Sequence, residues 1–208
     1  MPGPAPSAVL SKALRELGLA LPPAAVERLV SLAQLVESWG ARLNLTGHRD
    51  VDSITRRLVV DAAALLAHLP SFETAADLGA GAGFPGLPIA VLRPESRVFL
   101  VEARERRHHF QREAIRHLGL ENIQAIRGRF ENLEPVRCDL VVAQAVAAPA
   151  QLVDGMLRWA SPGAVIAVPG GALPRSAGKH AGLVGSEVVS YDVPLGGPTR
   201  TLWLGTAL

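Results

Sequence analysis

With 208 residues, a formal net charge of +2 and a single cysteine, Cys138, the chain can form one sizeable core or one domain with an extension. These numbers exclude a polycationic binding tail, an internal disulfide and a cysteine-only metal site, and an aromatic content of 4% argues against a base-stacking platform. No apolar run reaches membrane-spanning length, and the opening MPGPAPSAVL lacks the charged start and apolar core of a signal peptide, so a soluble, cytoplasmic protein with no membrane partner is expected.

Residues 1–6 are rich in Pro and Gly and read as an unstructured tip. Ser7 is placed to cap a helix through about Leu19. Pro22-Pro23 breaks it and suits the first turn of a second helix, in which Val26, Leu29, Val30, Ala33 and Val36 recur at helical spacing until Gly40. A turn-like segment, ARLNLTGHRD, leads to a third helix with Ile54, Leu58, Ala62, Leu65 and Leu69 on one face. Residues 1–70 thus read as a helical extension, and residues 71–208 as a separate α/β domain.

That domain alternates strand and helix. Strands are expected at Thr74–Leu78, Arg97–Val101, Asn122–Ile126, Asp139–Ala143 and Ala164–Val168, with helices at Phe84–Leu92, Arg104–Leu118 and Pro149–Trp159. Such alternation predicts a doubly wound, mostly parallel sheet. After a loop-like Gly170–His180, two further strands, Glu187–Val193 and Arg200–Gly205, flank PLGGP and read as an antiparallel hairpin, giving seven strands in all.

The stretch TAADLGAGAGFPGLP joins the first strand to the first helix of the domain. Asp77 ends an apolar run and Gly79, Gly81 and Gly83 follow at alternate positions. Glycines permit unusual φ values and close approach of a ligand to the backbone, and a helix start at Phe84 would offer unpaired N–H groups. Acid-x-Gly-x-Gly-x-Gly suits S-adenosylmethionine (SAM), whereas Gly81, Gly83 and Gly86 also fit the Gly-x-Gly-x-x-Gly of dinucleotide enzymes. Asp77 two residues before the first glycine, together with the terminal hairpin, favours SAM.

Glu102 ends the second strand, 25 residues after Asp77. An acid there can accept both ribose hydroxyls or cap the next helix. That helix sets Arg104, His108, Arg112 and Arg116 at four-residue spacing, a face that suits either solvent or phosphates. Phe130, after the third strand, reads as stacking on an adenine or as core, beside Glu131. Gln144 ends the fourth strand at the edge where the crevice opens, and it can bind a ligand or local backbone. Arg57 and Asp61, four apart, have the spacing of a surface ion pair. Cys138 lies at the wrong end of its strand for a nucleophile.

Taken together, Asn44-Leu45-Thr46 with Arg49, DLGAGAGFPGLPIA, Glu102 with Arg106-Arg107, LGLENI with GRFEN, and SPGA before the fifth strand carry a resemblance from about Trp39 to the C-terminus. The chain resembles the bacterial small-subunit ribosomal RNA guanine-N7 methyltransferases, also called glucose-inhibited division protein B. The resemblance implies a SAM-dependent methyltransferase fold and a ribosomal RNA or small-subunit partner. It also implies that Gly79, Phe84, Phe130 and Glu131 line the SAM pocket with Glu102 near the ribose, and that Arg57, Asp61 and Gln144 are candidates on the acceptor side. A monomer is the expectation. Guanine N7 carries a free lone pair, so no catalytic base is required. The chain departs from the family pattern at three polar positions: Leu58 replaces a histidine, Gln144 an arginine and Pro169 a lysine. Those departures keep open a different RNA or small-molecule substrate, or a catalytically weak relative.

Overall fold

A computed structural model describes residues 3–144, 149–170 and 180–208. The loop expected at Gly170–His180 falls almost entirely outside them. The first helix, α1 (Pro6–Glu16), starts on a proline, with Ala5 at its N-cap and no side-chain cap; Ser7 lies inside the helix rather than before it. Pro22 caps α2 (Pro23–Leu43), which runs three residues beyond Gly40. It ends where Asn44 adopts φ 48°, a left-handed conformation that asparagine tolerates better than most residues.

The third helical segment is not one regular helix. The Asp50 carboxylate accepts from the Ser53 N–H at 2.7 Å and starts α3 (Val51–Ile54). A π-turn over Thr55–Val59 follows, and α4 (Val60–Leu66) continues it. Apolar periodicity is blind to such a widened turn, because its inward residues still recur every three to five positions.

The seven strands are β1 (Thr74–Leu78), β2 (Arg97–Glu102), β3 (Ile123–Arg127), β4 (Cys138–Ala143), β5 (Ala160–Pro169), β6 (Leu183–Asp192) and β7 (Thr199–Ala207). They form one sheet in the order β3-β2-β1-β4-β5-β7-β6. The first five are parallel, and β7 runs antiparallel to both β5 and β6. Alternate residues face opposite sides. Ala75, Val98, Leu100, Leu140 and Val142 share one core with α1, α2, α4, α5 (Gly86–Leu92) and α6 (Glu105–Leu118). Ala76, Leu78, Val101, Val141 and Ile166 face a second core, completed by Phe130 and by α7 (Pro149–Trp159). The amino-terminal helices are continuous with the first of these cores. Among the described residues, no helix is long and apolar enough to cross a membrane.

The strand order reverses beside β1, where β2 goes one way and β4 the other. A crevice opens at that switch point, outside the carboxyl ends of the strands. Glu102, the Gly79–Pro85 turn, Gly128 and Gln144 all follow strand ends on this edge.

Candidate cofactor pocket and acceptor cavity

The glycine turn is held from both sides. Gly79, Gly81 and Gly83 all have positive φ, at 72°, 57° and 82°. The Gly79 and Ala80 N–H groups donate to the Val101 carbonyl at 2.8 and 3.0 Å, and the Gly81 N–H donates to Glu102 Oε2 at 3.0 Å. The Gly83 N–H donates to the Ala80 carbonyl at 2.7 Å. The helix starts at Gly86 rather than Phe84, and its first N–H groups are already taken, Gly86 by Asp77 and Leu87 by Gly83. The expectation of a helix end with free donors is therefore corrected: the Gly86 and Leu87 N–H groups, like those of Gly79, Ala80, Gly81 and Gly83, are used within the turn and its neighbours.

Asp77 is one of those internal holds. It is 3% exposed and accepts the Gly86 N–H on Oδ2 at 2.9 Å. Burial pushes its carboxyl up to about 7; the Gly86 hydrogen bond opposes this and the nearby Glu102 charge adds to it. Gly86 leaves no room for a side chain, since a Cβ there would run into the Leu100 side chain and lie 2.9 Å from Asp77 Oδ2.

Glu102 has another position. It is 5% exposed, takes the Gly81 N–H on Oε2 and the Arg104 N–H on Oε1 at 2.7 Å, and lines a cavity of about 250 Å³ with Gly79, Arg107, Gly128, Arg129 and Glu131. A carboxylate has about four acceptor sites, so each Glu102 oxygen keeps a lone pair for a ligand hydroxyl. The volume is close to the roughly 300 Å³ at which small-molecule pockets begin. Phe130 reaches this cavity too, but its ring is 4% exposed and lies over Gly155, where a Cβ would collide with it. Its carbonyl accepts from Trp159 Nε1 at 3.1 Å. Of the two readings of Phe130, the ring's place in the second core accords with packing.

A smaller cavity of about 40 Å³ lies on the other side of the turn, over β1, β4 and β5. Phe84 and Gln144 line it, so both sit apart from the cavity that Glu102 lines. Asp61, Tyr191, Leu58 and Pro169 line it as well. The three residues at which the chain departs from the family pattern thus meet in one place, which their separation in sequence concealed. Asp61 does not pair with Arg57, which is exposed. Its partner is Arg200 of β7, whose Nε and Nη2 donate to Oδ1 and Oδ2 at 3.1 Å each. Tyr191, 5% exposed, stacks on His68 with centroids 4.7 Å apart, and its hydroxyl is pushed up to about 12, mostly by burial and further by Asp61. The phenol is therefore a donor at any physiological pH.

The family described as rRNA small subunit methyltransferase G matches residues 25–177. The ribosomal RNA small subunit methyltransferase G of Aromatoleum aromaticum is 34% identical over 203 residues, covering 94% of this chain and 96% of that protein. The chain belongs to the rRNA small subunit methyltransferase G family. Its Neisseria meningitidis relative of the same name is 31% identical over 166 residues, 80% of each chain. A solved SAM-dependent methyltransferase from Aquifex aeolicus shares the fold, with a TM-score of 0.55 at 18% identity over 75% of this chain and 93% of that one. This rRNA small subunit methyltransferase G family member is a SAM-dependent methyltransferase with the expected Rossmann-like sheet.

Several residues that matter here were not legible from spacing. Arg200 and Tyr191 come from the terminal hairpin, 139 and 130 positions from Asp61. Gln111, fully buried in α6, donates its amide to the Gly81 carbonyl at 2.9 Å. It could have been flagged, because a polar residue beside Phe110 on the inward side of an amphipathic helix requires a partner. Cys138 is buried at the amino end of β4 with its thiol pushed up to about 12 by burial, which leaves it unreactive.

Proposed function

We propose that the chain transfers the methyl group of SAM to N7 of a guanine in small-subunit ribosomal RNA, in the cytoplasm. The observation that carries the reading is the pairing of two cavities on either side of the Gly79–Pro85 turn, one offering Glu102 and the other Gln144, Asp61 and Tyr191.

Bound SAM would supply an activated methyl group on a sulfonium. Glu102 would accept the ribose hydroxyls on its two free lone pairs. Gly79 would let the nucleoside lie against the backbone, and Gly128 and Glu131 would border the adenine. Gly81 and Gly83 shape the turn, with Asp77 and Gly86 holding it from behind. With the ribose over β2, the adenine falls toward β3 and the methyl end toward β4, where Phe84 and Gln144 stand. The smaller cavity has space for about one water-sized group, so a purine would lie over its mouth. Asp61, oriented by Arg200, and the Tyr191 hydroxyl would fix the purine edge, Asp61 accepting and Tyr191 donating. N7 needs no base, and alignment of its lone pair with the methyl is the main demand on the protein.

A second reading, transfer to a different acceptor, is favoured by the meeting of Leu58, Gln144 and Pro169 in the smaller cavity. One experiment separates the two: transfer of labelled methyl from SAM to small subunits lacking the modification, followed by mapping of the label. Label on one guanine N7 supports the first reading. Absence of label on the RNA, with SAM bound normally, supports the second.

A further inference from the structure

The cofactor pocket holds cations that its cofactor does not call for. Arg104, Arg107 and Arg129 line the same cavity as Glu102 and Glu131. Among the described residues, none of these three guanidinium groups makes a hydrogen bond or salt bridge, while Arg56, Arg116, Arg127 and Arg200 are each paired with a carboxylate. SAM carries a sulfonium and an ammonium against a single carboxylate, so it is itself a net cation. Its ribose and adenine, the parts that this end of the crevice would receive, are uncharged. Even against Glu102 and Glu131, the three arginines leave the lining with a net positive charge, which opposes a cationic cofactor until a further anion offsets it.

We propose that Arg104, Arg107 and Arg129 form a rim that takes RNA phosphates across the mouth of the cofactor pocket, so that RNA and SAM bind with positive coupling. The inference rests on the proposed function and names the surface through which the RNA is held. Guanidinium forks suit phosphate oxygens, and a phosphate over the rim would remove the repulsion felt by the cofactor. The rim differs from the face expected on α6. Arg116 at the far end of that face is tied to Glu113 at 2.9 Å, and His108 is half-buried with Nε2 3.4 Å from the Ala125 carbonyl. Only the amino-terminal end of the face joins the rim, and Arg129 completes it from beyond β3.

Coupling is reciprocal, so it can be read from either ligand. The probe is an in vitro transcript of the small-subunit ribosomal RNA, with SAM affinity measured by calorimetry in its presence and absence. Wild type is expected to bind SAM on the order of fivefold or more tightly with RNA present. The R104Q/R107Q/R129Q variant should lose this tightening while binding SAM alone as well as wild type or better. Its RNA affinity should fall, and the slope of log affinity against log salt should flatten by about two units, at roughly 0.7 per lost phosphate contact on single-stranded RNA. The R104Q/R129Q variant, altered only at exposed residues, repeats the test if the triple variant fails to fold. Unchanged RNA affinity and salt slope in a variant whose parent methylates the transcript would overturn the rim. So would a loss of SAM affinity without RNA, which would assign the arginines to the cofactor. A wild type that neither binds nor methylates RNA overturns the proposed function and the rim with it.

Discussion

Gln111 donates its side-chain amide to the carbonyl of Gly81 at 2.9 Å, while its own amide oxygen is buried with no hydrogen-bond partner among the described residues. The Gly81 peptide is thus held at both ends, its N–H by Glu102 and its carbonyl by Gln111. Stability and cofactor binding pull in opposite directions here. A buried unsatisfied acceptor costs about 1–3 kcal/mol, and the single bond that Gln111 makes contributes about 1 kcal/mol. Q111L should leave unfolding free energy equal or higher and weaken SAM binding several-fold as the turn loosens. Urea denaturation and calorimetry on the same preparation check both; a parallel fall in the two quantities would show that Gln111 is only a core residue.

Two glycines of the same turn should respond differently to alanine. At Gly81 a Cβ would have space, its nearest neighbour being Arg107 Nη1 at 3.6 Å, and the cost comes from φ 57° alone, about 1 kcal/mol. At Gly86 a Cβ would strike Leu100 and crowd Asp77. G86A should therefore destabilise by roughly 2–4 kcal/mol, the range for overpacking with loss of a buried hydrogen bond. Thermal melts of the two variants should differ in that order.

Asp77 makes stability depend on pH in an unusual direction for a carboxylate. Its folded pKa of about 7 lies above its ordinary value of 3.8, so between these the folded state binds more protons than the unfolded state. Its contribution is fully favourable below about pH 4 and is lost as pH rises through about 7, by roughly 4 kcal/mol at the outside. D77N keeps an oxygen for the Gly86 N–H and cannot ionise. Its urea midpoint should be flatter than that of wild type from pH 4 to 8, and the two curves should diverge most at the alkaline end.

Arg200 and Asp61 tie the terminal hairpin to α4 through two parallel bonds, with the carboxylate side chain 18% exposed. A double-mutant cycle over D61N and R200Q should give a coupling of about 1 kcal/mol in stability. Both variants should retain SAM affinity and lose methyl transfer, because the pair borders the smaller cavity and not the one that contains Glu102. A loss of SAM affinity in either variant would contradict this division of labour.

Gln144 is the acceptor-side position open to direct repair. Q144R would add a charged fork beside Asp61 and Tyr191 in the smaller cavity. Transfer to unmodified small subunits should rise at unchanged SAM affinity, whereas Q144A should not raise it. If SAM affinity rises instead, the position serves the cofactor.

The residues alone made legible the parts whose physics is local. Alternation of apolar runs gave five parallel strands and a terminal pair. The glycine spacing gave the turn, and the motifs from Asn44 to Ser161–Ala164 carried the family resemblance. The residues also placed Glu102 at a strand end, because strand length and register fix that position. Long-range packing set what each polar group does. It assigned Asp77 to the Gly86 N–H, tied turn donors to neighbouring carbonyls and carboxylates, and set the Phe130 ring against Gly155. It gave Asp61 a partner 139 residues away and gathered Leu58, Gln144 and Pro169 around one cavity. The reason is one of range. Backbone conformation answers to neighbours within a few residues, so spacing reveals it. A side-chain hydrogen bond or a cavity wall answers to whichever group the fold brings within a few ångströms, and strand order, which no local pattern encodes, decides that.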